Sequence, residues 1–385
     1  MFAQLTVLVL AGLAGPALSL TRLGLVPVVI GELLAGVILG NTGFGVIDAR
    51  AQPLVVFSAI GFAMLMLSAG ARVDVGSPDI RRGFRRGVTS FAAVVAVAVP
   101  LGLAIDAATG LGRPLLLVVL IAGSSAAIVF PIFAELGLPG ATTSAVMSWI
   151  AVADSATVVL MPLTLTGSSN VAGAIAGDVA IVAGAATVYV VAHRVVRTPP
   201  LRALRETSLR RGWALQLRAS LLALFGLSAI AQLTGASTLV AGFAAGMLIA
   251  RLREPERLAL QLSGVANGFF VPVFFVLLGA ELNLRALVEE PSRIGLALAL
   301  AAAAVSAHVV AAAVTGRKPA LATGLAASAQ LGLPAAAAAL GLGAHLLSPA
   351  DAAALVAAGC LTLIPASLGG RMIARAAPPR PPAST

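Results

Sequence analysis

The sequence predicts an all-α polytopic membrane protein with about thirteen transmembrane helices, from its composition, its long apolar stretches and its charge distribution. Of 385 residues, 59% are hydrophobic and 10% are charged, and the mean hydropathy is +1.03. Soluble domains carry about 25% charged residues, so this composition is typical of a chain immersed in lipid. The single cysteine, Cys360, excludes an internal disulfide framework and a multi-cysteine metal site.

Apolar stretches, separated by clusters of Gly, Pro, Asn or Arg, define the predicted membrane spans. They lie near residues 3–20, 25–44, 52–71, 86–106, 114–134, 141–166, 172–196, 213–232, 236–250, 260–280, 293–315, 319–343 and 350–374.

Basic residues are distributed unevenly across the two sides of this arrangement. Only four of the 25, Arg50, Arg113, Arg285 and Arg293, fall on one side, and the other 21 fall on the opposite side. Because cytoplasmic loops are rich in Lys and Arg, we predict a plasma-membrane protein with the N-terminus outside and the C-terminus in the cytoplasm. The basic loop Thr198–Gly212 is interpreted as an orienting and lipid-contacting element, and nucleic acid is not expected as a partner.

Two segments of the first half recur in the second half. Ile30–Leu39 parallels Val240–Ile249, and Gly70–Asp74 parallels Gly279–Asn283. The offset is about 210 residues, or seven spans, and an odd number of spans inverts the copy in the membrane. The repeat therefore predicts two inverted units, which is an organisation typical of secondary transporters.

The repeat divides the chain into four predicted parts. They are a first six-helix repeat (1–166), a linking helix with the basic loop (167–212), a second six-helix repeat (213–376) and a short disordered tail (377–385).

The spans at 114–134 and 319–343 hold corresponding places in the two repeats, and both contain polar or helix-breaking residues in mid-membrane. The first has Gly123-Ser124-Ser125 and Pro131, and the second has Ser328, Gln330, Gly332 and Pro334. Interrupted helices in matching positions are the best sequence indicator of a transporter binding site.

Asp154 is the only charged residue between Leu136 and Gly177. A carboxylate in mid-membrane is costly and usually functional, so we predict transport or proton transfer. Burial favours the neutral acid, whereas Na⁺ or K⁺ binds only the ionised form, so cation and proton compete for one site. The alternative is a structural carboxylate paired with a buried base or with the backbone.

Two motifs resemble the monovalent cation:proton antiporter family, which includes sodium/proton exchangers and Kef-type potassium/proton systems. Pro27–Gly40 is similar to the family's P-x-x-x-G-E-x-x-A-G-x-x-L-G, and Ser124–Pro131 is similar to its S-S-T-A-I-V-L-Q. Glu135 matches the acidic residue that follows, and the resemblance covers essentially the whole chain.

This resemblance implies that Asp154 binds the transported cation and the proton. It also implies a thirteen-helix fold with a dimerisation scaffold, hence a homodimer, and a core with two crossed, unwound helices. The core would move like an elevator, exchanging Na⁺, K⁺ or Li⁺ for H⁺. No cofactor beyond the transported ions and no enzymatic activity are expected.

The chain departs from the family's pattern at four places. Ala153 replaces the usual polar neighbour of the essential aspartate, and Ala126 replaces the threonine of the first break. The family's Q-G-G-E becomes Gln330-Leu331-Gly332-Leu333, which loses its carboxylate, and His308 is the nearest equivalent of the usual Lys or Arg. As a cation His308 would pair with Asp154, whereas the alternative is a neutral core histidine bonded to a backbone carbonyl.

The remaining candidates are auxiliary. Ser124, Ser125 and Gln330 either donate oxygens to a cation or bond the backbone. Glu32 is either a half-buried carboxylate bonded to neighbouring backbone or an ion ligand.

Two other functions stay open at this point. One is a sodium-coupled organic-anion symporter with similar broken helices. The other is an intramembrane serine protease that uses Gly123-Ser124-Ser125-Ala126 with His308. HExxH and Walker A motifs are absent from the sequence, and the Pro-rich segment Ala377–Pro382 after the last span leads us to expect no regulatory nucleotide-binding domain in this chain.

Overall fold

The fold is taken from a computed structural model of the full chain. It describes residues 2–19, 28–72, 78–126, 128–129, 133, 138, 140–165, 171–195, 198–234, 237–251 and 256–376. Within these ranges the regular structure is helical and no strand is present, which confirms the all-α class.

Eighteen α-helices are described. In chain order they are α1 (Phe2–Gly12), α2 (Ala14–Ser19), α3 (Val28–Leu39), α4 (Gln52–Arg72), α5 (Pro78–Thr109), α6 (Pro114–Ala122), α7 (Gly140–Leu165), α8 (Val171–Val195), α9 (Pro199–Arg211), α10 (Leu215–Thr234), α11 (Thr238–Arg251), α12 (Glu256–Val265), α13 (Val271–Glu281), α14 (Leu284–Glu289), α15 (Pro291–Val314), α16 (Ala320–Ala327), α17 (Gly332–Gly343) and α18 (Pro349–Ala376). A π-helical segment, Ala266–Phe270, joins α12 to α13 just before Pro272, which cannot donate to the carbonyl four residues earlier.

Among the described residues, eight helices are long and apolar enough to cross a membrane. They are Gln52–Ala71, Gly83–Thr109, Ala145–Leu165, Leu215–Thr234, Leu260–Glu281, Pro291–Val314, Ala320–Gly343 and Pro349–Ala376. Four shorter apolar helices are Phe2–Leu18, Val28–Leu39, Ile175–Val191 and Thr238–Arg251. A multi-pass membrane protein is therefore confirmed, whereas the count of thirteen crossings stays a prediction.

Two basic segments expected to be loops are helical. α5 begins at Pro78, so the arginines between 81 and 86 lie inside its first turns. The expected loop Thr198–Gly212 is mostly α9, because Leu and Arg are good helix formers, proline stands at its first position, and Gly212 ends it in the left-handed conformation (φ 68°). Positive charge leads to a prediction of membrane orientation, which stays a prediction, and carries no information on the backbone conformation of these segments.

The chain divides into two compact units, each built from segments of both halves of the sequence. The first unit comprises Met1–Gly76, Val158–Pro291 and Ala335–Ala353, and the second comprises Ser77–Thr157, Ser292–Pro334 and Ala354–Thr385. Asp154 and both breaks in the α6 and α16 segments belong to the second unit.

In the first unit, α3 and α13 cross with their backbones in contact. A Cβ atom at Gly36 would overlap the carbonyl oxygen of Val276, and one at Gly279 would overlap the carbonyl oxygen of Leu33. Only glycine permits so close an approach, and small residues are the usual means of packing helices in lipid.

The same unit contains a second crossing of this kind, between α4 and α11. A Cβ atom at Gly246 would overlap the carbonyl oxygen of Leu67, and one at Gly70 would overlap that of Phe243. The predicted repeat pairs α3 with α11 and α4 with α13, so the two crossings occupy corresponding places in the two halves. The inverted repeat itself remains a prediction that this correspondence supports.

Candidate ion-binding site

Asp154 lies in the middle of α7, and its side chain is only 7% exposed. Its Oδ2 atom accepts a hydrogen bond of 3.1 Å from the backbone N–H of Ala126. A carboxylate on one membrane helix is thus bonded to the interrupted backbone of another segment within the second unit.

The local backbone explains why Ala126 has an N–H to donate. α6 ends at Ala122, and Gly123 is extended (ψ 154°). The backbone then turns helical again, because the N–H groups of Ile128 and Val129 both point to the carbonyl of Ser125, at 3.2 and 3.1 Å. Ala126 therefore stands in a first helical turn, where N–H groups have no helical acceptor and favour an anion.

The second break lies between α16, which ends at Ala327, and α17, which begins at Gly332. The hydroxyl of Ser124 donates to the carbonyl of Ala327 over 2.7 Å, and Nε2 of Gln330 donates to the carbonyl of Ile121 over 3.3 Å. Each break thus supplies a polar side chain to a last-turn carbonyl of the other helix, which would otherwise have no partner. The two interrupted segments are in direct contact.

Thr362 on α18 fixes the second break from another side, and sequence reasoning missed it. Its hydroxyl oxygen accepts from the backbone N–H of Gln330 over 3.0 Å and lies 2.7 Å from the carbonyl of Gly359. Thr362 is 1% exposed. A hydroxyl within the apolar run of α18 was the available signal.

His308 is fully buried on α15, and its contacts are those of a core histidine. Nδ1 lies 2.8 Å from the carbonyl of Ala304, so Nδ1 carries a proton. The ring stacks on Trp149, with centroids 5.5 Å apart and planes at 19°. Nε2 has no hydrogen-bond partner in the part of the chain that the structure describes. Pairing between His308 and Asp154 therefore stays a prediction, whereas the backbone bond of the alternative reading is observed.

Polar neighbours of Asp154 on α7 bond their own helix. Ser155 donates to the carbonyl of Ala151, and Thr157 donates to that of Ala153, both over 2.7 Å. Ser125 is buried at 6% exposure. The serines that directly precede Ala126, the residue bonded to Asp154, are Ser124 and Ser125.

The described part of the first unit contains three other buried carboxylates, Glu32, Asp178 and Asp351, and Asp351 accepts hydrogen bonds from the backbone N–H and the hydroxyl of Ser348. Glu32 is 3% exposed, packs against Gly15 of α2, and has one oxygen, Oε2, without a hydrogen-bond partner among the described residues. Asp178 on α8 is 7% exposed, and neither of its carboxylate oxygens has a hydrogen-bond partner within the described ranges. Glu135 and Pro131 lie outside the described residues.

These contacts do not support a metal-ion cluster or a serine protease site among the described residues. Within the described residues no three His, Cys, Asp or Glu side chains are grouped to hold a metal ion. Ser124 bonds Ala327 and His308 bonds Ala304, so these two side chains do not form the hydrogen-bonded pair that a serine protease needs.

Two interrupted helices in contact, with a buried carboxylate at a half-helix N-terminus, are typical of secondary active transporters. The model of the transmembrane sodium/hydrogen exchanger family matches residues 5–375. The chain belongs to this family, which is a family of transporters.

Curated relatives agree with that assignment. YjbQ of Bacillus subtilis, whose name carries a provisional Na⁺/H⁺ antiporter assignment, is 23% identical over 279 residues, covering 69% of this chain and 45% of YjbQ. The glutathione-regulated potassium-efflux system protein KefC of Salmonella paratyphi B is 29% identical over 292 residues, covering 72% of this chain and 45% of KefC. The chain spans about half the length of the curated relatives it matches.

A solved structure shares the fold. The sodium proton antiporter MjNhaP1 of Methanocaldococcus jannaschii superposes with a TM-score of 0.64 at 15% identity, over 97% of this chain and 98% of that one. At this identity the likeness shows the fold alone.

Proposed function

We propose that this protein exchanges a monovalent cation, Na⁺ or K⁺, for H⁺ across the membrane, and that both ions bind at Asp154. The observation that carries the proposal is the bond from the N–H of Ala126 to the Asp154 carboxylate. It places the lone acid of α7 at the interruption of a second helix, where a transporter of this fold binds its ion.

Competition at one carboxylate is the proposed mechanism. The ionised form is stabilised by the Ala126 N–H and by the restarted helix turn, whereas low-dielectric surroundings oppose it. A bound proton or a bound cation removes that cost, so the site is occupied by one or the other. Cation entry then releases the proton, and protonation releases the cation.

Oxygen ligands for the cation would come from the break beside Asp154. The Ser124 hydroxyl uses its hydrogen in the bond to Ala327, which leaves its oxygen lone pairs to face a cation. Interrupted backbone supplies carbonyl groups, and these suit a hard monovalent ion. With Ala153 beside Asp154, one carboxylate takes up one H⁺ or one cation, and we infer an electroneutral exchange.

Gln330 and Thr362 are proposed to position the site. Gln330 joins the two breaks through Ile121, and Thr362 holds the backbone of Gln330. Neither group carries a charge. Their role is to keep the interrupted backbone in the geometry that presents the Ala126 N–H to the carboxylate.

Homodimeric assembly, a cytoplasmic C-terminus and an elevator-like movement complete the proposal. They rest on the family resemblance and on the basic residues of one side. The alternative, a sodium-coupled organic-anion symporter, has no observation in its favour beyond the broken helices that it would share.

Everted membrane vesicles with a pH-sensitive dye test the proposal. Addition of Na⁺ or K⁺ should move protons in vesicles that contain the wild-type protein and should have no effect with Asp154→Asn. Asp178→Asn is the matched control, because Asp178 is an equally buried aspartate in the first unit, and it should retain exchange. Full exchange by Asp154→Asn at wild-type protein levels would overturn the proposed site.

A further inference from the structure

An apolar cavity of about 700 Å³ lies in the first unit, between α8, α9, α10 and α11. It is within the size range of ligand pockets, which is about 300–1,000 Å³. Its walls are almost entirely aliphatic, and its rim is open, because Leu222 and Val191 are 74% and 54% exposed. No part of Asp154 or of the two breaks contributes to it.

The cavity follows α10 from Leu215 to Ile230. That stretch is about 22 Å of helix axis, which exceeds one leaflet of a hydrocarbon core of about 30 Å. Gly226 lies on this stripe, and a Cβ atom there would meet nothing within 4 Å. The groove therefore has the length and the apolar lining of a site for an acyl chain.

Polar groups close one end of the groove. A small second pocket of about 30 Å³ shares Arg205, Leu215 and Gln216 with the cavity and adds Ser208 and Gln261. A guanidinium has five N–H donors, so Arg205 can hold a phosphate in addition to a protein partner. The two glutamine amides and the serine hydroxyl add neutral donors around the same point.

The surroundings of this polar end are basic and have the composition of a membrane interface. α9 carries four arginines and one glutamate. Trp213, which follows it, is 40% exposed with the Arg211 guanidinium 5.5 Å from its ring centroid. Tryptophan and arginine in this arrangement are typical of the headgroup region, where basic pockets between helices bind anionic lipids.

We propose that this cavity is a binding site for an anionic phospholipid, with an acyl chain along α10 and the phosphate at Arg205. The site is independent of the exchange proposed at Asp154. Charge complementarity selects this occupant: the apolar groove alone would suit any lipid tail, and the arginine-bearing end distinguishes an anionic from a zwitterionic headgroup.

Native mass spectrometry of the purified full chain in detergent tests the site with two probes, dioleoyl-phosphatidylglycerol and dioleoyl-phosphatidylcholine. The wild type should bind phosphatidylglycerol at least about tenfold more tightly, as expected for a charge-assisted contact. Arg205→Gln should remove this preference, and Arg205→Lys should restore part of it. Arg218→Gln is the matched control, because Arg218 is an exposed arginine at the same end of α10 that lines neither pocket, and it should keep the preference.

A second set of variants in the same experiment tests whether a side chain that fills the groove excludes the lipid. Gly226→Leu should weaken binding of both lipids at least about tenfold, and Gly264→Leu, a helical glycine of the same unit with open space around it, should not. An equal loss of preference in Arg205→Gln and Arg218→Gln would show diffuse charge attraction and would overturn the site. Unchanged lipid affinity in Gly226→Leu, with a shift from dimer to monomer mass, would assign the groove to a second copy and would also overturn it.

Discussion

Both units of this protein contain close helix contacts at glycine, such as Gly324 against the backbone of Val309 in the second, and the second unit adds polar contacts between two interrupted helices. In the first unit, α3 with α13 and α4 with α11 meet backbone to backbone through glycines. In the second unit, the interrupted segments meet through side-chain hydrogen bonds from Ser124 and Gln330 to helix-end carbonyls. The first arrangement permits only one close geometry, whereas the second leaves backbone donors and acceptors that an ion can use.

This contrast suggests a division of labour. Close-packed helices resist deformation, since each displacement costs many small contacts at once. Polar contacts at a helix interruption are few, and each is exchangeable with water or an ion. We therefore expect substitutions at the glycine crossings of the first unit to remove the folded protein, and substitutions at the helix interruptions of the second unit to remove transport from a protein that still folds.

The largest effect is expected for Gly246→Leu in the first unit. The new side chain would overlap the backbone of Leu67, which has no flexible end that can move aside. Overpacking costs about 1–3 kcal/mol or more, and we expect loss of most of the monodisperse peak in fluorescence-detected size-exclusion chromatography. Gly264→Leu is the control with open space around the glycine. A wild-type yield of Gly246→Leu would show that the crossing is not rigid.

A smaller effect on stability, and a clear one on transport, is expected for Thr362→Val. The change keeps the volume but leaves the buried N–H of Gln330 without its acceptor, at a cost of about 1–3 kcal/mol. Exchange in dye-loaded vesicles should fall about tenfold, since about 1.4 kcal/mol is a factor of ten, while the protein still purifies. Thr234→Val removes a hydroxyl that bonds only its own helix and should be neutral. Equal activity of both variants would mean that the second break needs no support from α18.

The smallest effect is expected for His308→Asn. The amide can replace Nδ1 as donor to the Ala304 carbonyl, so the observed contact is kept while the titratable ring is lost. If His308 is a neutral core residue, the pH profile of exchange should shift by less than about 0.3 pH unit. That shift is small beside the roughly one-unit spread of side-chain pKa values among folded proteins. A displacement of one unit or more would instead support its role as the partner of Asp154.

Sequence reasoning selected the candidate site residues because polar residues in mid-membrane stand out against an apolar background. Asp154, Ser124 and Gln330 were all selected in this way, and the structure brings Ser124 and Gln330 into the contact between the breaks and Asp154 onto Ala126. The number of crossings and the inverted repeat are still predictions.

Other features left no comparable trace in the sequence. The donor to Asp154 is a backbone N–H of an alanine, which no pattern of side chains reveals. The glycines of the close crossings lie in the recurring segments of the sequence, but the sequence does not show which backbone each one faces. The helical state of α9 was missed because its charge was interpreted as a loop, although its Leu and Arg content favours a helix.

The central claim, competition of cation and proton for Asp154, is tested most directly by the apparent KM for Na⁺ and K⁺ as a function of pH. Protons occupy the carboxylate as the pH falls, so more cation is needed to displace them. In the range where Asp154 is protonated, we predict that KM rises about tenfold per pH unit of acidification, as linkage of one proton to one site requires, with Vmax unchanged. A KM independent of pH, with Vmax alone varying, would contradict a shared carboxylate.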